Sequence, residues 1–331
     1  MILQIPSAQY HADLCVPGMG PTLSSHLARE VLVGNMRHVW LKHPRLNPKH
    51  ISENEEKFRA GRALHSMVLE EGADIVLVDP EEYRTEPTKA EPNGKAATGW
   101  NNKAIKARRD EVESDGRIPM LPDEYSELEH KACAVHEAVA REPDLCGMRL
   151  MPEFGKAEQT IITEVDGVLV RIRPDFLSHD FCWMPDLKSA ATLSPDHFIK
   201  RQMVQMGYDF QLEFYGRAIE QETGVRPDCM LIVMQDFYPY STFFVRPSQA
   251  MQAIAKVKVD RALQMWREAL KADAWPEWPS GIISAEPSAW AMAEAEEMAV
   301  EIEMVGGGVN WDRNAPGSRE NFLGGRVRDG Q

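Results

Sequence analysis

The sequence predicts an α/β (α+β) fold in which a mixed, mostly antiparallel central sheet is flanked by helices. Three observations predict it. Residues 168–175 alternate apolar and polar side chains, which is typical of a half-buried strand. Asp166 and Gly167, directly before them, are a strong signal for a two-residue hairpin turn that leads back to another strand. Apolar side chains recur at helical spacing over residues 122–141, so a helix precedes the sheet.

The composition is that of an ordinary globular protein, with 331 residues of which 43% are hydrophobic and 27% are charged. No apolar run approaches the roughly 20 residues that span a bilayer. The N-terminus has no basic segment before a long apolar stretch, so we expect a cytoplasmic protein without membrane association. The cysteines are scattered without a C-x-x-C pair, which argues against a zinc site, an iron–sulfur cluster or a disulfide framework.

The formal net charge of −14 argues against a protein that coats nucleic acid nonspecifically. It does not exclude an enzyme that threads DNA through a cavity, because such an enzyme needs positive charge only along that path. The densest basic cluster lies near the end of a helix that Ser24 or Ser25 caps and that is predicted to run to about Trp40. The cluster either grips phosphates or is a solvated helix end. Its members are Arg37, His38, Lys42, His43, Arg45, Lys49 and His50.

Ser52 is predicted to cap the next helix, with Glu55 at the third helical position as in a capping box. Gly61 within that helix costs about 1 kcal/mol relative to alanine, and close packing against a strand is the reason we expect for it. His65 falls on the same packed side. It is either a hydrogen-bonded core histidine or a metal ligand, because a neutral imidazole beside carboxylates can complete a divalent site.

Asp175, Asp186 and Lys188 are the most informative residues of the chain. Asp186 and Lys188 are two positions apart on a predicted strand, so their side chains point to the same face. His179 and Asp180 are predicted to form the turn between this strand and the one before it. Pairing of the two strands would bring Asp175 next to Asp186, with Lys188 beside them.

Two carboxylates at such close range repel each other unless a cation neutralises them, and oxygen ligands suit Mg²⁺ or Mn²⁺. A lysine ammonium beside the metal would orient or deprotonate a water, or stabilise the charge of a phosphorane-like transition state. Phosphodiester hydrolysis needs that combination. The alternative is a surface hairpin with an ordinary ion pair between Asp186 and Lys188.

A long helix is predicted over residues 195–222 and is ended by Gly224. Tyr208, Gln211 and Tyr215 lie at positions i, i+3 and i+7, so they form one polar and aromatic stripe. Without further information, this stripe is the half-buried face of a helix.

The chain is predicted to have three parts. Residues 1–50 form an N-terminal helical lead-in with the basic cluster, and residues 51–279 form the core. Within the core, strands at 230–235 and 241–245 pair near its C-terminal end. Residues 280–331 contain a helix and a tail without apolar periodicity, which is predicted to be disordered.

These features together resemble the PD-(D/E)xK nuclease superfamily, and within it the RecE-type (exodeoxyribonuclease VIII-like) phage and prophage exonucleases. The resemblance runs from about Ser24 to Trp278 and rests on four motifs in the same order. The motifs are Gly61-Arg62-Ala63-Leu64-His65, Asp175, Asp186-Leu187-Lys188 and Gln211-x-x-x-Tyr215.

The resemblance implies a restriction-endonuclease-like core and assigns roles to these residues. Lys188 would position the attacking water, and Gln211 and Tyr215 would contact phosphate or support the lysine. Glu158 matches an acidic position often present in the family, and it either approaches the metals or is a solvated edge-strand carboxylate. The implied ligands of Mg²⁺, or of Mn²⁺ in its place, are His65, Asp175, Asp186 and the Leu187 carbonyl.

The activity that the resemblance implies is Mg²⁺-dependent degradation of linear double-stranded DNA, in the 5′→3′ direction, which leaves 3′ single-stranded tails for recombination. The implied partners are DNA ends, a single-strand annealing protein of the RecT or Redβ kind, and further copies of the chain in a trimeric or tetrameric ring. Two alternatives stay open. One is a RecB- or Cas-type nuclease with another substrate or polarity, and the other is a noncatalytic DNA-processing scaffold on the same fold.

Overall fold

A computed structural model describes the chain in two compact units, Met1–Trp278 and Pro279–Gln331. The predicted capping box of Ser52 and Glu55 and the predicted disordered tail fall outside the described residues, and the predicted division at residues 50 and 279 stays a prediction. The described residues are all except 14–15, 51–58, 70–74, 86, 88–91, 279, 283 and 305–331.

The first unit combines helices and strands, as predicted. Its strands are β1 Ile2–Leu3, β2 Ile75–Leu77, β3 Ile118–Met120, β4 Gly155–Ala157, β5 Thr160–Val165, β6 Val168–Ile172, β7 Phe176–Ser178, β8 Trp183–Ala190, β9 Asp228–Gln235 and β10 Thr242–Val245. Its helices are α1 Ser7–His11, α2 Ser25–Val33, α3 Met36–Lys42, α4 Arg59–Leu69, α5 Lys103–Ser114, α6 Pro122–Arg141, α7 Pro195–His197, α8 Val204–Met206, α9 Tyr208–Thr223 and α10 Gln249–Ala272. The second unit contains α11 Ala289–Met304.

The strand pairing is mixed, which confirms the predicted fold class. β5 lies between β1 and β6 and is antiparallel to both. β9 lies between β8 and β10, parallel to β8 and antiparallel to β10. Two further pairs complete the pattern, β2 with β3 in parallel and β4 with β7 antiparallel. The predicted hairpin joins β5 to β6 through Asp166 and Gly167, whose φ values of 50° and 76° are those of a type I′ turn.

The predicted pairing of the two strands that carry Asp175 and Asp186 is wrong. β6 pairs with β5, and β8 pairs with β9, so that Asp186 lies opposite Leu231 and Lys188 opposite Val233. The physical reason is burial. β9 is apolar and buried on both faces, as parallel strands are, and it therefore fills the central place beside β8.

The predicted helix from Ser25 to Trp40 is two helices, α2 and α3. Gly34 is extended, with φ −103° and ψ −155°, and it ends α2. The side chain of Asn35 then accepts the backbone N–H of His38 at 2.7 Å and starts α3. Sequence periodicity continues across this break, so periodicity alone did not show it.

The predicted helix over residues 195–222 is also interrupted. It begins as α7, widens into a π-helical turn at Phe198–Met203, continues as α8 and breaks at Gly207, which has a φ of 75°. The left-handed φ favours glycine at this position, and a Cβ there would also displace the side chain of Arg29, which would lie 2.3 Å away. The break sets the start of α9 and therefore the direction of Tyr208, its first residue.

Two hydrophobic clusters lie on opposite faces of β8. Met184 packs in one with α2, α9 and α10, and Leu187 packs in the other with α4 and α6. Because side chains alternate along a strand, Asp186 and Lys188 share the face of Met184 and point toward α9. In the described part of the chain, no helix is long and apolar enough to cross a membrane.

Candidate metal centre

α4 brings His65 to the edge of the sheet. Leu64 and Val68 are buried in the cluster shared with α6, which fixes the rotation of the helix, and the His65 side chain keeps 29% of its surface exposed. Gly61 does not pack closely as predicted. It is exposed, and among the described residues no atom lies within 4 Å of the place where its Cβ would be.

Asp175 directly precedes β7 and is held by the backbone of β8. Its Oδ2 accepts the N–H of Leu187 at 2.7 Å, so the side chain of Asp175 reaches the strand of Asp186 although the two predicted strands do not pair. Its Oδ1 lies 3.6 Å from Nδ1 of His65. The side chain is 12% exposed, which leaves Oδ1 accessible at the edge of the site.

Glu158 joins the same site from the link between β4 and β5. Its φ of 52° is in the left-handed region, and its N–H donates to the backbone carbonyl of Asp175 at 3.1 Å. Its Oε1 lies 3.9 Å from Nδ1 of His65, while its Oε2 accepts a hydrogen bond from Nε of Arg173. Of the two roles left open for Glu158, the structure favours the approach to the site.

His65, Glu158 and Asp175 each offer one ligand atom, and these atoms all lie within 4.8 Å of one another. Among the described residues this is the one such group of histidine, cysteine and acidic side chains. An imidazole nitrogen with two carboxylate oxygens is a donor set that suits Mg²⁺ or Mn²⁺. The residues present therefore fit a divalent cation.

The charges of the three groups are strongly coupled. Burial lowers the pKa of His65, but the carboxylates of Asp175 and Glu158 outweigh it and raise the pKa to about 9. Burial raises the pKa of Asp175 to about 6, with Asp186 adding to the effect and His65 opposing it. Burial raises the pKa of Glu158, but hydrogen bonds with His65 and Arg173 hold it below its ordinary value. Arg173 holds Oε2 of Glu158 and the Leu187 N–H holds Oδ2 of Asp175, so one oxygen of each acid, Oε1 and Oδ1, is left beside His65.

Asp186 and Lys188 form a second group on the α9 side of β8. Asp186 is 1% exposed, its Oδ2 pairs with Nζ of Lys188, and its Oδ1 accepts Nε2 of Gln211 at 2.8 Å. The group of three ligand atoms does not include Asp186. Its predicted place as a ligand stays a prediction, whereas its predicted proximity to Lys188 is present in the structure.

Leu187 contributes its backbone. Its side chain is buried, and its N–H points away from β9 toward Asp175. In a strand the N–H and C=O of one residue leave the same edge, so the Leu187 carbonyl also faces the edge where Asp175 lies. This geometry agrees with the predicted role of the carbonyl without testing it.

The three residues of the helix stripe, Tyr208, Gln211 and Tyr215, lie in different surroundings. Nζ of Lys188 lies 5.1 Å from the centre of the Tyr208 ring, which itself stacks on Phe198. Gln211 reaches Asp186, as described above. Tyr215 is buried, and burial raises the pKa of its hydroxyl well above the ordinary value. Its predicted contact with phosphate stays a prediction.

The predicted basic cluster is largely engaged within the protein. His43 is fully buried, so it is not part of an exposed basic surface. Lys42 pairs with Glu30, and the guanidinium of Arg45 donates to the carbonyls of Asp13 and Gly20. These contacts fix the segment that follows α3 against the body of the unit.

Sequence analysis missed Arg173, the residue that holds Glu158. A signal for it was present, because Arg173 and Asp175 alternate onto one face of the predicted strand. What the pattern could not show was the position of Glu158, since that depends on a left-handed backbone conformation that few glutamates adopt.

A family model described as a PDDEXK-like domain of unknown function (DUF3799) matches residues 120–285, about half of the chain. The match contains Glu158, Asp175, Asp186 and Lys188, whereas His65 lies before it. Among curated proteins no match was found.

Two solved structures are similar to the chain. One is a crystal structure from Eubacterium rectale of a protein provisionally described as an exonuclease, with 12% identity and a TM-score of 0.51 over 88% of this chain and 99% of that one. The other is the alkaline exonuclease LHK-Exo from Laribacter hongkongensis, with 13% identity and a TM-score of 0.23 over 66% of this chain and 96% of that one. The first supports the fold, and the second is too distant to add to it.

Proposed function

This chain belongs to the family of PDDEXK-like domains, and we propose that it is a metal-dependent nuclease that hydrolyses phosphodiester bonds in DNA. The observation that carries the proposal is the meeting of His65, Glu158 and Asp175. They come from three separate elements, and their ligand atoms lie within 4.8 Å of one another. A half-buried lysine beside a buried carboxylate, Lys188 with Asp186, completes the set of groups that such a reaction uses.

The cation that we propose is Mg²⁺, with Mn²⁺ as a possible substitute. His65, Glu158 and Asp175 would hold it, and the resemblance adds Asp186 and the Leu187 carbonyl. When bound, such an ion supplies a Lewis acid for the phosphate and lowers the pKa of a coordinated water. His65 must give up its proton to serve as a ligand, so binding releases a proton.

Lys188 serves in this proposal as a hydrogen-bond donor. Burial lowers the pKa of its ammonium, but the carboxylates of Asp186 and Asp175 outweigh it and hold the pKa above the ordinary value. The side chain therefore keeps its proton and positions the attacking water, and it places a positive charge where negative charge develops on the phosphate. Of the roles considered from the sequence, positioning is favoured over deprotonation.

Gln211 and Tyr208 keep this lysine in place. Nε2 of Gln211 donates a hydrogen bond to Oδ1 of Asp186, and Oδ2 of Asp186 pairs with Nζ of Lys188. The Tyr208 ring lies under the ammonium and limits the directions in which it can move. Both residues are on the first turns of α9, whose start is set by the break at Gly207.

The finer parts of the proposal rest on the resemblance to RecE-type exonucleases. They are the preference for linear double-stranded DNA, the 5′→3′ direction, the 3′ single-stranded product for an annealing protein, and a homo-oligomeric ring of three or four copies. The acidic net charge of the chain is compatible with them if the DNA path is enclosed, because binding outside the path would then be weak.

A digestion assay tests the proposal. Linear duplex labelled at its 5′ or 3′ end, closed circular duplex and single-stranded DNA are incubated with the protein in Mg²⁺ or in EDTA. We expect Mg²⁺-dependent loss of the linear duplex with early release of the 5′ label. Preferential digestion of single strands or of the 3′ end would favour the RecB- or Cas-type alternative. No cleavage of any substrate in Mg²⁺ or Mn²⁺ would contradict the proposal and favour a noncatalytic scaffold.

A further inference from the structure

Arg173 is bound on several sides at once. Its Nε donates to Oε2 of Glu158, and its Nη1 donates to the carbonyl of Ile5 at 3.0 Å and to Oγ1 of Thr160 at 3.0 Å. Its guanidinium carbon lies 5.9 Å from the centre of the Tyr10 ring. The side chain is 12% exposed, so these contacts rather than solvent determine its conformation.

The oxygen that Arg173 occupies decides which oxygen Glu158 has left. With Oε2 taken, Oε1 is the atom that lies 3.9 Å from His65 and belongs to the group of ligand atoms. Glu158 also needs support because of its backbone. A left-handed conformation is unfavourable for a residue with a Cβ, and such strain persists only where the surroundings fix it.

We infer that Arg173 is a positioning residue of the metal centre. It holds Glu158 so that one carboxylate oxygen is presented to a divalent cation, and it anchors this arrangement to the N-terminal segment through Ile5 and Tyr10. The inference rests on the proposed function, since it assigns a role toward the cation of that site. Partners behind a metal ligand typically change metal affinity by about 10- to 100-fold when they are removed.

Arg171 provides a matched comparison within the same chain. It lies two positions earlier, is buried, and its guanidinium carbon lies 5.4 Å from the same Tyr10 ring. Its Nη1, however, bonds to Thr22 and lies 3.2 Å from Asp13, away from the candidate ligands. Lysine at either position keeps the charge but cannot reproduce the fork of guanidinium donors.

The experiment is a calorimetric titration of Mn²⁺ into the full chain and its variants, with thermal unfolding as the check of folding. We expect Arg173→Gln to raise the Kd for Mn²⁺ by about 10- to 100-fold, and Arg173→Lys to raise it by a smaller factor. Arg171→Lys should leave the Kd unchanged, although it alters a buried arginine of the same face.

A double-mutant cycle with Glu158→Gln separates positioning from a general effect on the fold. If Arg173 acts through the Glu158 carboxylate, Arg173→Gln should weaken Mn²⁺ binding no further once that carboxylate is gone. An unchanged Kd in Arg173→Gln, or an equal loss with and without the Glu158 carboxylate, would overturn the inference. Absence of Mn²⁺ binding by the unaltered protein would instead overturn the proposed function, and the inference with it.

Discussion

Two histidines in this unit lie at the same distance from a carboxylate and have opposite pKa shifts. Nε2 of His43 is 3.6 Å from Asp13, and Nδ1 of His65 is 3.6 Å from Asp175. The pKa of His43 is lowered to about 4, chiefly by burial. The pKa of His65 is raised to about 9, because the nearby carboxylates outweigh burial.

The hydrogen bonds of His43 are those of a neutral ring, which agrees with the pKa that burial lowers. Nδ1 accepts the backbone N–H groups of Arg45 and Leu46 at 3.2 and 3.3 Å, so it carries no proton, and Nε2 lies 3.0 Å from the carbonyl of Thr22 and donates to it. Asp13 has other partners, because it accepts both the N–H and the hydroxyl of Thr22 and pairs with the guanidinium of Arg171. His43 and Asp13 therefore both have hydrogen-bond partners within the protein, and we interpret the pair as structural.

The group around His65 is more open, although Arg173 donates to Oε2 of Glu158 and Leu187 donates to Oδ2 of Asp175. His65 and Glu158 keep 29% and 27% of their side-chain surface exposed, and two carboxylates share one imidazole. Distance to a carboxylate alone therefore does not identify a histidine as a metal ligand. What distinguishes the two sites is exposure, because His43 and Asp13 are enclosed by the protein whereas His65 and Glu158 each keep an atom near the partly exposed surface of the site.

The largest expected contrast is between two buried cation–carboxylate pairs, Lys188 with Asp186 and Arg171 with Asp13. Removing either cation by Lys188→Met or Arg171→Met leaves a buried acid unpaired and should destabilise the fold by about 3–5 kcal/mol. Only Lys188→Met should also slow DNA cleavage per folded molecule, by about 10²–10³-fold, because the proposed function places only Lys188 beside the reacting phosphate.

Double variants separate stability from chemistry in this pair. Asp186→Asn with Lys188→Met and Asp13→Asn with Arg171→Met each remove both charges, so most of the lost stability should return. Cleavage should be retained in the second double variant and not in the first. Full activity in a folded Lys188→Met protein would remove this lysine from the mechanism.

The pH dependence of stability should report His43. Its pKa is about 4 in the folded protein and 6.5 in the unfolded chain, so between these values the unfolded state binds more protons. The stabilisation from the neutral ring is present above pH 6.5 and is lost as pH falls toward 4, by up to about 3 kcal/mol. Urea unfolding from pH 4.5 to 7 should show this loss in the unaltered protein and a shallower one in His43→Gln. The same pH dependence of the free energy of unfolding in both proteins would contradict the low pKa of His43.

Replacing each histidine by glutamine should separate metal binding from folding. His65→Gln should weaken Mn²⁺ binding by at least about 10- to 100-fold, the range found even for residues behind the ligands, with little loss of stability when unfolding is measured above pH 9, where the ring is neutral in the folded protein. His43→Gln should lower the free energy of unfolding by about 1–3 kcal/mol, because buried hydrogen bonds are left unmade, and should leave the Mn²⁺ Kd unchanged. Titration with Mn²⁺ and unfolding curves, measured on both variants, check that His65→Gln changes mainly the Kd and His43→Gln mainly the free energy of unfolding.

The smallest expected effect is the change in Tm when Asp175 or Asp13 is replaced by asparagine, and its sign differs between the two positions. Asp175 is buried beside Asp186, and its raised pKa means that its charged form is disfavoured, so Asp175→Asn should stabilise the metal-free protein by on the order of 1 kcal/mol. For a unit of this size that is about 2–4 °C in Tm. Asp13→Asn should lower Tm instead, since Asp13 accepts from Thr22 and Arg171. Differential scanning calorimetry in EDTA tests both signs.

Local signals in the sequence predicted much of the fold correctly. The hairpin at Asp166 and Gly167, the shared face of Asp186 and Lys188 and the helix Pro122–Arg141 all follow from contacts a few residues apart. The pairing of β8 with β9 did not, because it joins residues more than forty positions apart. The breaks at Gly34 and Gly207 were also missed, since a regular apolar pattern continues through them.

The candidate site was predictable in its residue types but not in its arrangement. His65, Asp175, Asp186 and Lys188 were found by their spacing and the family resemblance, and the structure brings His65 to Asp175 and Lys188 to Asp186. Glu158 was left undecided because its backbone conformation cannot be read from sequence. His43 was placed in an exposed basic cluster, since nothing in the sequence shows that Thr22 and Arg45 enclose it.

The most direct test is the electron spin-echo envelope modulation spectrum of Mn²⁺ bound to the full chain, because it detects the nitrogen of a coordinated imidazole. We expect a histidine nitrogen signal in the unaltered protein and in His43→Gln, and no such signal in His65→Gln. A nitrogen signal that persists in His65→Gln would contradict the central claim that this imidazole, together with Glu158 and Asp175, holds the cation.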